Sequence, residues 1–457
     1  MAMGCATFRA EPLLPEKTVS ALEARTLLDP ALKKFLEDVT RHEITPWPPT
    51  SWDLSMLTLA AYYYHPDLPL AKAGWDAAKA GVQTAGGRPN PSISLAPQHV
   101  GGEVSGVSPW VLGPTFDIPI ETAGKRRYRI AKAKHLSEAA RLNIATVAWQ
   151  IRSRLRSKWL DLYTATQEEK ILQEEQAAQE KYSKFLQERL VGEEVSPLTV
   201  AQSQIVYERT LLSLRQLRQR RIEARAQLAA AVGLPAHALD EVEISFALLD
   251  KLPFSFSVGE ICQRALLSRP DILAVLEEYA ASQAALQLEV AKQYPDLHFG
   301  PGYSWDQGTE KWSLGVSVSL PVLDRNQGPI AEAGARRTEA AARFMALQVK
   351  VLGEVERALT GYETTLETFE AADELLTAQT NQYRISERLL ASGGATQPAL
   401  LLARAELNAA ALARLHAFVQ VQQSFGSLED AVQYPLDGAE TVTLPLPFFE
   451  RGTGDSQ

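Results

Sequence analysis

The longest regular pattern of apolar and polar positions in the chain is helical and runs from about Gly124 to Leu190. After Gly124 this stretch contains neither Pro nor Gly, and it is dense in residues that lose little rotamer freedom in a helix. Its apolar side chains recur at spacings of three and four and predict a packing seam formed by Ile144, Ala148, Ile151, Leu155, Trp159 and Leu162. An unbroken helix of this length would span roughly 100 Å, deeper than a single globular core. The pattern therefore predicts a coiled coil, a helical bundle or a tube of helices.

A second helical pattern runs back from Leu198 to Val232, so the two segments predict a helical hairpin. The turn between them carries Gly192, a residue typical of helix ends, and Ser196-Pro197, a typical helix start. Two shorter helical patterns precede the hairpin, from Trp52 to Tyr64 and from Leu68 to about Thr84.

Between the shorter helices and the long one, the period of the pattern changes from 3.6 to 2. Ser92–Leu95 alternates polar and apolar residues, and so does the stretch from Trp110 to Ile120. A Gly-rich segment, His99 to Ser108, separates them. The alternation predicts two strands joined by an exposed loop.

The same plan then occurs a second time. Four landmarks of the first half recur 200 to 204 residues later: Pro66 at Pro270, Pro119 at Pro321, Pro197 at Pro398 and Pro235 at Pro435. The second half has a predicted helix over Ile272 to Lys292, a long helix that ends at Leu390 and a returning helix that ends near Val432. Its predicted strands are Leu297–Tyr303 and Trp312–Leu320. The sequence thus predicts an internal duplication. It divides the chain into a leader (1–50), a first repeat (51–235), a connector (236–257), a second repeat (258–432) and a tail (433–457). The leader is predicted to be extended and Pro-rich, with one short helix between Ala21 and Val39.

The predicted strands have the length and alternation of strands that cross a membrane. In Trp312–Leu320 one face carries Trp, Leu and Val, and the other carries Ser and Gly. A half-buried strand of a soluble sheet would show the same alternation, but aromatic residues also lie near the strand ends, as in the girdles of membrane barrels. Four strands would leave open edges, which lipid does not tolerate, so several chains must contribute. Small residues on the inward face, namely Gly113, Ser313, Gly315 and Ser317, favour twelve strands around a water-filled lumen over eight.

Composition excludes several other classes. The chain has 457 residues with a net charge of −9, so general attraction to nucleic acid is not expected. The basic run Arg215–Arg221 suits a solvated helix face better than a phosphate site. No apolar run is long enough for a transmembrane helix. The seven histidines have no metal-ligand spacing and no catalytic or nucleotide motif is present, so we expect no catalytic residue, metal site or cofactor.

The duplicated strand–strand–long helix–turn–helix unit resembles the TolC-like outer-membrane efflux family. The steps His65-Pro66-Asp67-Leu68 and Arg269-Pro270-Asp271-Ile272 contribute to the resemblance, as do Tyr182 and Tyr383 ahead of the two turns. The resemblance implies a homotrimer with a twelve-stranded barrel in the outer membrane of a Gram-negative bacterium, continued by a long α-helical barrel in the periplasm. It also implies a passive outlet that works with a periplasmic adaptor and an inner-membrane pump.

The resemblance assigns the two inter-helix turns to the periplasmic tip, where the pore closes and the adaptor docks. The tip residues in the first turn are Gly192, Glu193, Glu194, Pro197 and Thr199. Those in the second turn are Gly393, Gly394, Gln397, Pro398 and Ala399. Many members carry Asp a few residues after the tip glycine, where this chain has Thr199 and Ala399, so we do not expect a carboxylate gate there. Glu193 and Glu194 either make the entrance negative or are solvated surface. We expect the second turn, with its adjacent glycines, to move on opening.

Two alternatives stay open at the level of sequence. Gly4-Cys5 resembles the cleavage point of bacterial lipoproteins, but Met1–Gly4 does not supply the export signal that such processing needs. Either the printed start is truncated or Cys5 is a free thiol. A soluble coiled-coil scaffold would explain the helices, although it would not explain four alternating strands at duplicated positions.

Overall fold

A computed structural model of the chain describes residues 7–101, 106, 108–250, 258–306 and 308–436. The α-helices of this part are α1 (Pro15–Glu23), α2 (Pro30–Thr40), α3 (Leu54–Tyr64), α4 (Asp67–Ala85), α5 (Lys125–Val191), α6 (Pro197–Val232), α7 (Val258–Ser268), α8 (Pro270–Ala291), α9 (Gln327–Ala391) and α10 (Gln397–Val432). The strands are β1 (Ser92–Leu95), β2 (Gln98–His99), β3 (Trp110–Leu112), β4 (Pro114–Ile120), β5 (Leu297–Asp306) and β6 (Thr309–Val318). The prediction of a mainly helical chain with a small β part is confirmed.

The leader is more ordered than the sequence suggested. The expected single helix between Ala21 and Val39 is two helices, α1 and α2, because Pro30 opens a new helix. The Asp29 side chain accepts a hydrogen bond from the Ala31 backbone N–H at 2.8 Å, which satisfies one of the free donors at the start of α2. The apolar face of α2 is buried at Leu32, Phe35 and Leu36. The predicted helix is therefore confirmed over α2, but residues 24–29 lie outside both helices and most of α1 occupies a stretch that was predicted to be extended.

Each of the two X-Pro-Asp steps precedes a helix and has a hydrogen bond across the proline, but the bonded atoms differ. In the first, the Asp67 backbone N–H donates to His65 Nδ1 at 3.3 Å, so the imidazole helps to start α4. In the second, the Arg269 guanidinium donates to the Asp271 carboxylate at 2.6 Å, at the start of α8. In both steps the side chain before the proline bonds to the residue after it, and the proline itself fits the start of a helix because no backbone donor is needed there.

The described residues form two compact units, each built from separate stretches of chain. The first comprises Met1–Leu68, Val147–Ala265 and Gly353–Gln457; the second comprises Pro69–Thr146 and Leu266–Leu352. All six predicted seam residues of α5 are buried, with exposed fractions of 3% or less. In the first unit a further core of Tyr362, Phe369, Ala417, Val421 and Phe425 lies between α9 and α10.

Gly233 allows a close approach of chain segments in the first unit. It ends α6 with φ +91°, and an added Cβ would lie 3.0 Å from the Tyr64 carbonyl carbon. Arg25 Nη1 donates to the carbonyl oxygens of both Tyr64 (2.9 Å) and Gly233 (3.0 Å). A side chain at Gly233 would be strained in this conformation and would clash with the end of α3.

The second unit contains an antiparallel sheet in which four strand lines lie side by side. β4 pairs with β5, and β5 pairs with β6 over ten residue pairs. β1 and β2 follow one another along one strand line, and β4 and β3 lie along the neighbouring line. The pairs β1–β4 and β2–β3 keep the same register (Ser92 with Asp117, Gln98 with Val111). The order across the sheet is therefore β1/β2, β4/β3, β5, β6, and both outer lines have an unpaired edge in the described chain.

Candidate functional site

The first turn, between α5 and α6, is closed by the helix ends themselves. The Glu193 N–H donates to the Leu190 carbonyl and the Glu194 N–H to the Arg189 carbonyl, both at 3.0 Å. This is the Schellman pattern, which satisfies the last carbonyls of a helix. At the start of α6 the Ser196 hydroxyl accepts from the Thr199 N–H at 3.2 Å, and Pro197 occupies the first turn of the helix.

The second turn, between α9 and α10, repeats this backbone with different side chains. The Gly393 N–H donates to the Leu390 carbonyl at 3.1 Å and the Gly394 N–H to the Leu389 carbonyl at 2.8 Å. Thr396 stands where Ser196 stands in the first turn, but its side chain makes no capping hydrogen bond. Gln397 and Pro398 open α10, and the Ala399 N–H donates to the Thr396 carbonyl.

The two turns place different residue types in the left-handed position. Gly393 has φ +77°, as expected for glycine. In the first turn this position is taken by Glu193, with φ +59°, and not by Gly192. The duplication therefore aligns Glu193 with Gly393 and Glu194 with Gly394. A left-handed conformation costs an L-residue roughly 1–2 kcal/mol, so the first turn holds a strained glutamate.

The two tip glutamates differ in their partners. Glu194 forms an ion pair with Arg189 (3.3 Å), whose guanidinium also lies over the Phe185 ring. Glu193 is exposed and has no ion-pair partner within the described chain. The negative charge that this turn presents to solvent is therefore mainly that of Glu193.

A cleft of about 410 Å³ connects residues of both turns. Thr199 of the first turn and Pro398 of the second line it, with Glu175 and Tyr182 from α5 and Arg404 from α10. Arg404 donates to the Glu174 carbonyl oxygen at 3.1 Å, which joins α10 to α5 beside the cleft. Burial raises the pKa of the Tyr182 phenol above its ordinary value. The cleft thus combines a neutral phenol, an acid and a guanidinium between apolar walls.

The faces of the sheet form the second part of the candidate site. On one face, the register brings together Ile118, Phe299 and Val316 in neighbouring strands. These side chains are exposed, Val316 by 67%. The other face carries Ser, Thr and Gly, together with a hydrogen-bond contact between His298 Nδ1 and the Asp117 carboxylate at 3.0 Å. Gly113 belongs to this polar face, where an added Cβ would overlap the Tyr303 carbonyl oxygen of β5. An exposed apolar face opposite a polar one is what a strand pattern for lipid and water requires.

One buried charge cluster was not predicted from the sequence. Arg152 and Arg156 of α5 both donate to Glu429 of α10, at 3.1 and 2.7 Å. Asp430 lies beside them and accepts hydrogen bonds from Trp149 Nε1 at 2.8 Å and from the Ser153 hydroxyl. Desolvation raises the pKa of Asp430, and this effect outweighs the lowering by the two hydrogen bonds. The available signal was the spacing, because Arg152 and Arg156 lie one residue after seam positions of α5.

Three further predictions concern Cys5, metal sites and membrane-spanning helices. Cys5 lies outside the described residues. Within the described part of the chain, no group of three or more His, Cys, Asp or Glu side chains is placed to hold a metal ion. None of the described helices is both long and apolar enough to cross a membrane.

Comparisons with known proteins agree with this geometry. Residues 61–234 and 261–432 match the model of the outer membrane efflux protein family, once for each predicted repeat. The cobalt-zinc-cadmium resistance protein CzcC of Cupriavidus metallidurans is 26% identical over 238 residues, which are 52% of this chain and 56% of CzcC, so the match spans little more than half of that relative.

Solved structures show the same fold. The outer membrane protein VceC of Vibrio cholerae superposes with a TM-score of 0.67 at 19% identity, covering 84% of this chain and 96% of VceC. The CmeC outer membrane channel of Campylobacter jejuni gives 0.70 at 16% identity, covering 87% and 89%. The family match covers both repeats and most of the helices and strands described above. The chain belongs to the outer membrane efflux protein family.

Proposed function

We propose that this chain is the passive exit duct of a tripartite efflux system in the outer membrane of a Gram-negative bacterium. The observation that carries the proposal is the two-faced sheet, with exposed Val, Ile, Leu and Phe on one side and Ser, Gly and Thr on the other. Its outer strand lines, β1/β2 and β6, have unpaired edges. Lipid does not tolerate unpaired backbone groups, so further copies must close the sheet.

The copy number that fits best is three. Three copies give twelve strands and a lumen wide enough for water, whereas eight strands would leave an interior filled by side chains. The small residues on the polar face support the wider barrel, and α5, α6, α9 and α10 would form the periplasmic helical barrel below it. A periplasmic adaptor and an inner-membrane pump complete the proposed system. A soluble scaffold would not require the exposed apolar face.

The proposed entrance is the tip formed by the two helical turns. We assign Glu193 to a charged rim, because the first turn is closed by hydrogen bonds from both sides, including the Ser196 cap. We assign movement to the second turn, because it lacks that cap and contains Gly393 and Gly394. The adaptor would dock at the same tip.

Divalent metal cations are the first cargo to test. The support is the likeness to CzcC, whose name refers to cobalt, zinc and cadmium resistance. The pump selects the cargo in such a system, so the test is genetic: deletion of the gene should lower the tolerated concentrations of these metals. Equal metal tolerance with increased sensitivity to organic drugs would assign the duct to a drug pump.

The lipid-facing assignment is tested with a matched pair of substitutions at neighbouring positions of β6. Val316→Arg would place a charge on the apolar face and should cost about 2–4 kcal/mol if the residue lies near the bilayer midplane. Ser317→Arg, on the polar face, should leave assembly intact and reduce single-channel conductance.

Trimer assembly is followed by heat-modifiable migration and by mass measurement in mild detergent. Wild type and Ser317→Arg should migrate as trimers from outer-membrane fractions, and Val316→Arg should not. A stable wild-type monomer would contradict the proposed assembly. Equal tolerance of arginine at both positions would contradict the assigned faces.

A further inference from the structure

The segments that join strands to helices in the second unit meet in one place, which we call the junction. Arg126 Nε donates to the Gly86 carbonyl oxygen at 2.7 Å, and the Thr122 N–H donates to Asp296 at 2.9 Å. The Asn326 side-chain amide donates to the Glu289 carbonyl oxygen at 2.8 Å. These bonds connect the four segments that form the junction: 86–91, 121–129, 289–296 and 320–327.

The junction carries an excess of positive charge in an acidic protein. Its four segments contain seven Lys and Arg residues and four carboxylates, whereas the whole chain has a net charge of −9. Three of the carboxylates are already paired: Asp296 with Lys125 at 2.7 Å, Glu121 with Arg129 at 2.6 Å, and Glu289 with Lys292 at 2.7 Å. The fourth, Asp324, accepts a hydrogen bond from the Asn326 backbone N–H.

Three arginines of the junction have no carboxylate partner in the described chain, although Arg127 Nη2 donates a hydrogen bond to the Tyr128 hydroxyl at 3.0 Å. Arg88, Arg127 and Arg325 are all exposed, and within the described chain none of them contacts a carboxylate. Arg127 lies against the ring of Tyr128, with 4.9 Å from its guanidinium carbon to the ring centroid. These groups are available to a ligand that carries negative charge.

Apolar side chains stand exposed on the same segments. Leu323 is 99% exposed, Val322 71% and Tyr294 61%. The apolar face of the sheet begins directly beside them, at Ile120 and Leu297. An amphipathic tyrosine, exposed aliphatic residues and arginines without carboxylate partners, next to an apolar surface, are the composition of a membrane–water interface.

We propose that the junction binds the phosphate groups of anionic membrane lipids, an inference that rests on the proposed embedding of the sheet. Arg88, Arg127 and Arg325 bind the phosphates, since guanidinium groups match phosphate oxygens in a planar, two-pronged geometry. Leu323 and Tyr294 enter the headgroup and upper acyl region. A membrane is the occupant because the arginines are spread over exposed segments that continue the apolar face, whereas a small soluble anion needs an enclosed pocket.

The test measures which lipids the full-length protein retains. The protein is inserted into bilayers with equal amounts of phosphatidylcholine and phosphatidylglycerol and extracted gently, and the bound lipids are quantified by mass spectrometry. The wild type should retain the anionic lipid in excess, with a preference that falls as salt is raised. The variant Arg88→Gln, Arg127→Gln, Arg325→Gln should lose this preference by roughly fivefold per arginine at low salt.

Two further variants separate charge from general damage. Replacement of the same three arginines by lysine keeps the charge and should keep most of the preference. A matched control removes three exposed cations from helices of the first unit and should behave as wild type: Lys170→Gln, Arg220→Gln and Arg357→Gln.

The outcomes distinguish this inference from the function on which it rests. Failure of the wild type to insert into any bilayer would overturn the proposed duct and this inference with it. Normal insertion and trimer formation without a preference for the anionic lipid would overturn the lipid site alone. An equal loss in the control variant would also overturn it, because the preference would then follow total charge and not the junction.

Discussion

The two glycines of the second tip turn should respond oppositely to alanine. Gly393 has φ +77°, so Gly393→Ala forces an L-residue into the left-handed region and should destabilise the turn by roughly 1–2 kcal/mol. Gly394 does not have a positive φ, and an added Cβ would make an ordinary contact with Leu389 Cδ2 at 3.4 Å. Gly394→Ala should therefore stabilise the turn by about 0.4–1 kcal/mol, through the reduced freedom of the unfolded chain.

Hydrogen exchange measures this difference at the turn itself. The amides of Gly393 and Gly394 donate to the carbonyls that end α9, so their protection reports opening of the turn. Protection should fall by about fivefold or more in Gly393→Ala and rise by about two- to fivefold in Gly394→Ala. Equal losses of protection in the two variants would refute the distinct backbone roles.

The same two variants, Gly393→Ala and Gly394→Ala, distinguish whether the second turn acts as a hinge or only as a helix cap. If the second turn moves on opening, the stiffer Gly394→Ala turn should reduce export or single-channel opening at unchanged trimer abundance. If the glycines only end the helix, export should follow abundance in both variants. Gly192→Ala is the matched control, since it changes a glycine of the first turn that lacks a positive φ and whose added Cβ comes no closer than 3.7 Å to any neighbouring atom. Normal conductance and export by Gly394→Ala would contradict the hinge.

Three further predictions concern other parts of the chain. Gly426→Ala would place a Cβ 2.7 Å from Nη1 of Arg156, which is held by Glu429. The substitution should lower the free energy of unfolding by about 1–3 kcal/mol in denaturant titrations. Gly353→Ala, at a helical position with open space around it, is the control and should not lower it. Burial lowers the pKa of His65, so the unfolded imidazole takes up a proton more readily and stability should fall as pH drops below about 6.5; an unchanged slope in a glutamine variant would contradict this. If Cys5 is a lipid attachment site, cells producing the protein should incorporate labelled palmitate into it, and Cys5→Ser should abolish the incorporation; no label in the wild type would rule out the anchor.

The features that the sequence predicted well are those set by local chemistry. α5 was expected from Gly124 to Leu190 and extends over Lys125–Val191, because a long run of good helix formers is bounded by Gly at both ends. The four strand lines of the sheet were expected from the alternation of apolar and polar residues. Their pairing places the apolar residues of neighbouring strands on one face and the polar residues on the other. The two turns occur at duplicated places between the long helices, as expected; their assignment to a periplasmic tip comes from the resemblance and, like the roles of their residues, stays a prediction.

The features that the sequence missed depend on distant partners or on single backbone angles. Glu193 takes the left-handed position beside Gly192, and residue type alone favours the glycine for that role. The Arg152 and Arg156 cluster needs Glu429, nearly 280 residues away in the chain, so helix periodicity could show only two charges beside an apolar seam. The break between α1 and α2 was missed because the helical pattern was read through Pro30.

The even number of strand lines has a consequence for how identical chains can join. In a fully antiparallel sheet of four lines, the two outer lines run in opposite directions, so β6 of one copy meets β1/β2 of the next as an antiparallel neighbour. This match of strand directions holds for any ring of copies, so direction alone does not fix how many take part. The helices add a constraint of their own, because their packing angles differ between rings of different size. A change in stoichiometry is thus expected from substitutions in the helical walls, whereas loss of a single strand line would bring parallel edges together at every boundary between copies, a pairing that is slightly less stable per residue than the antiparallel one.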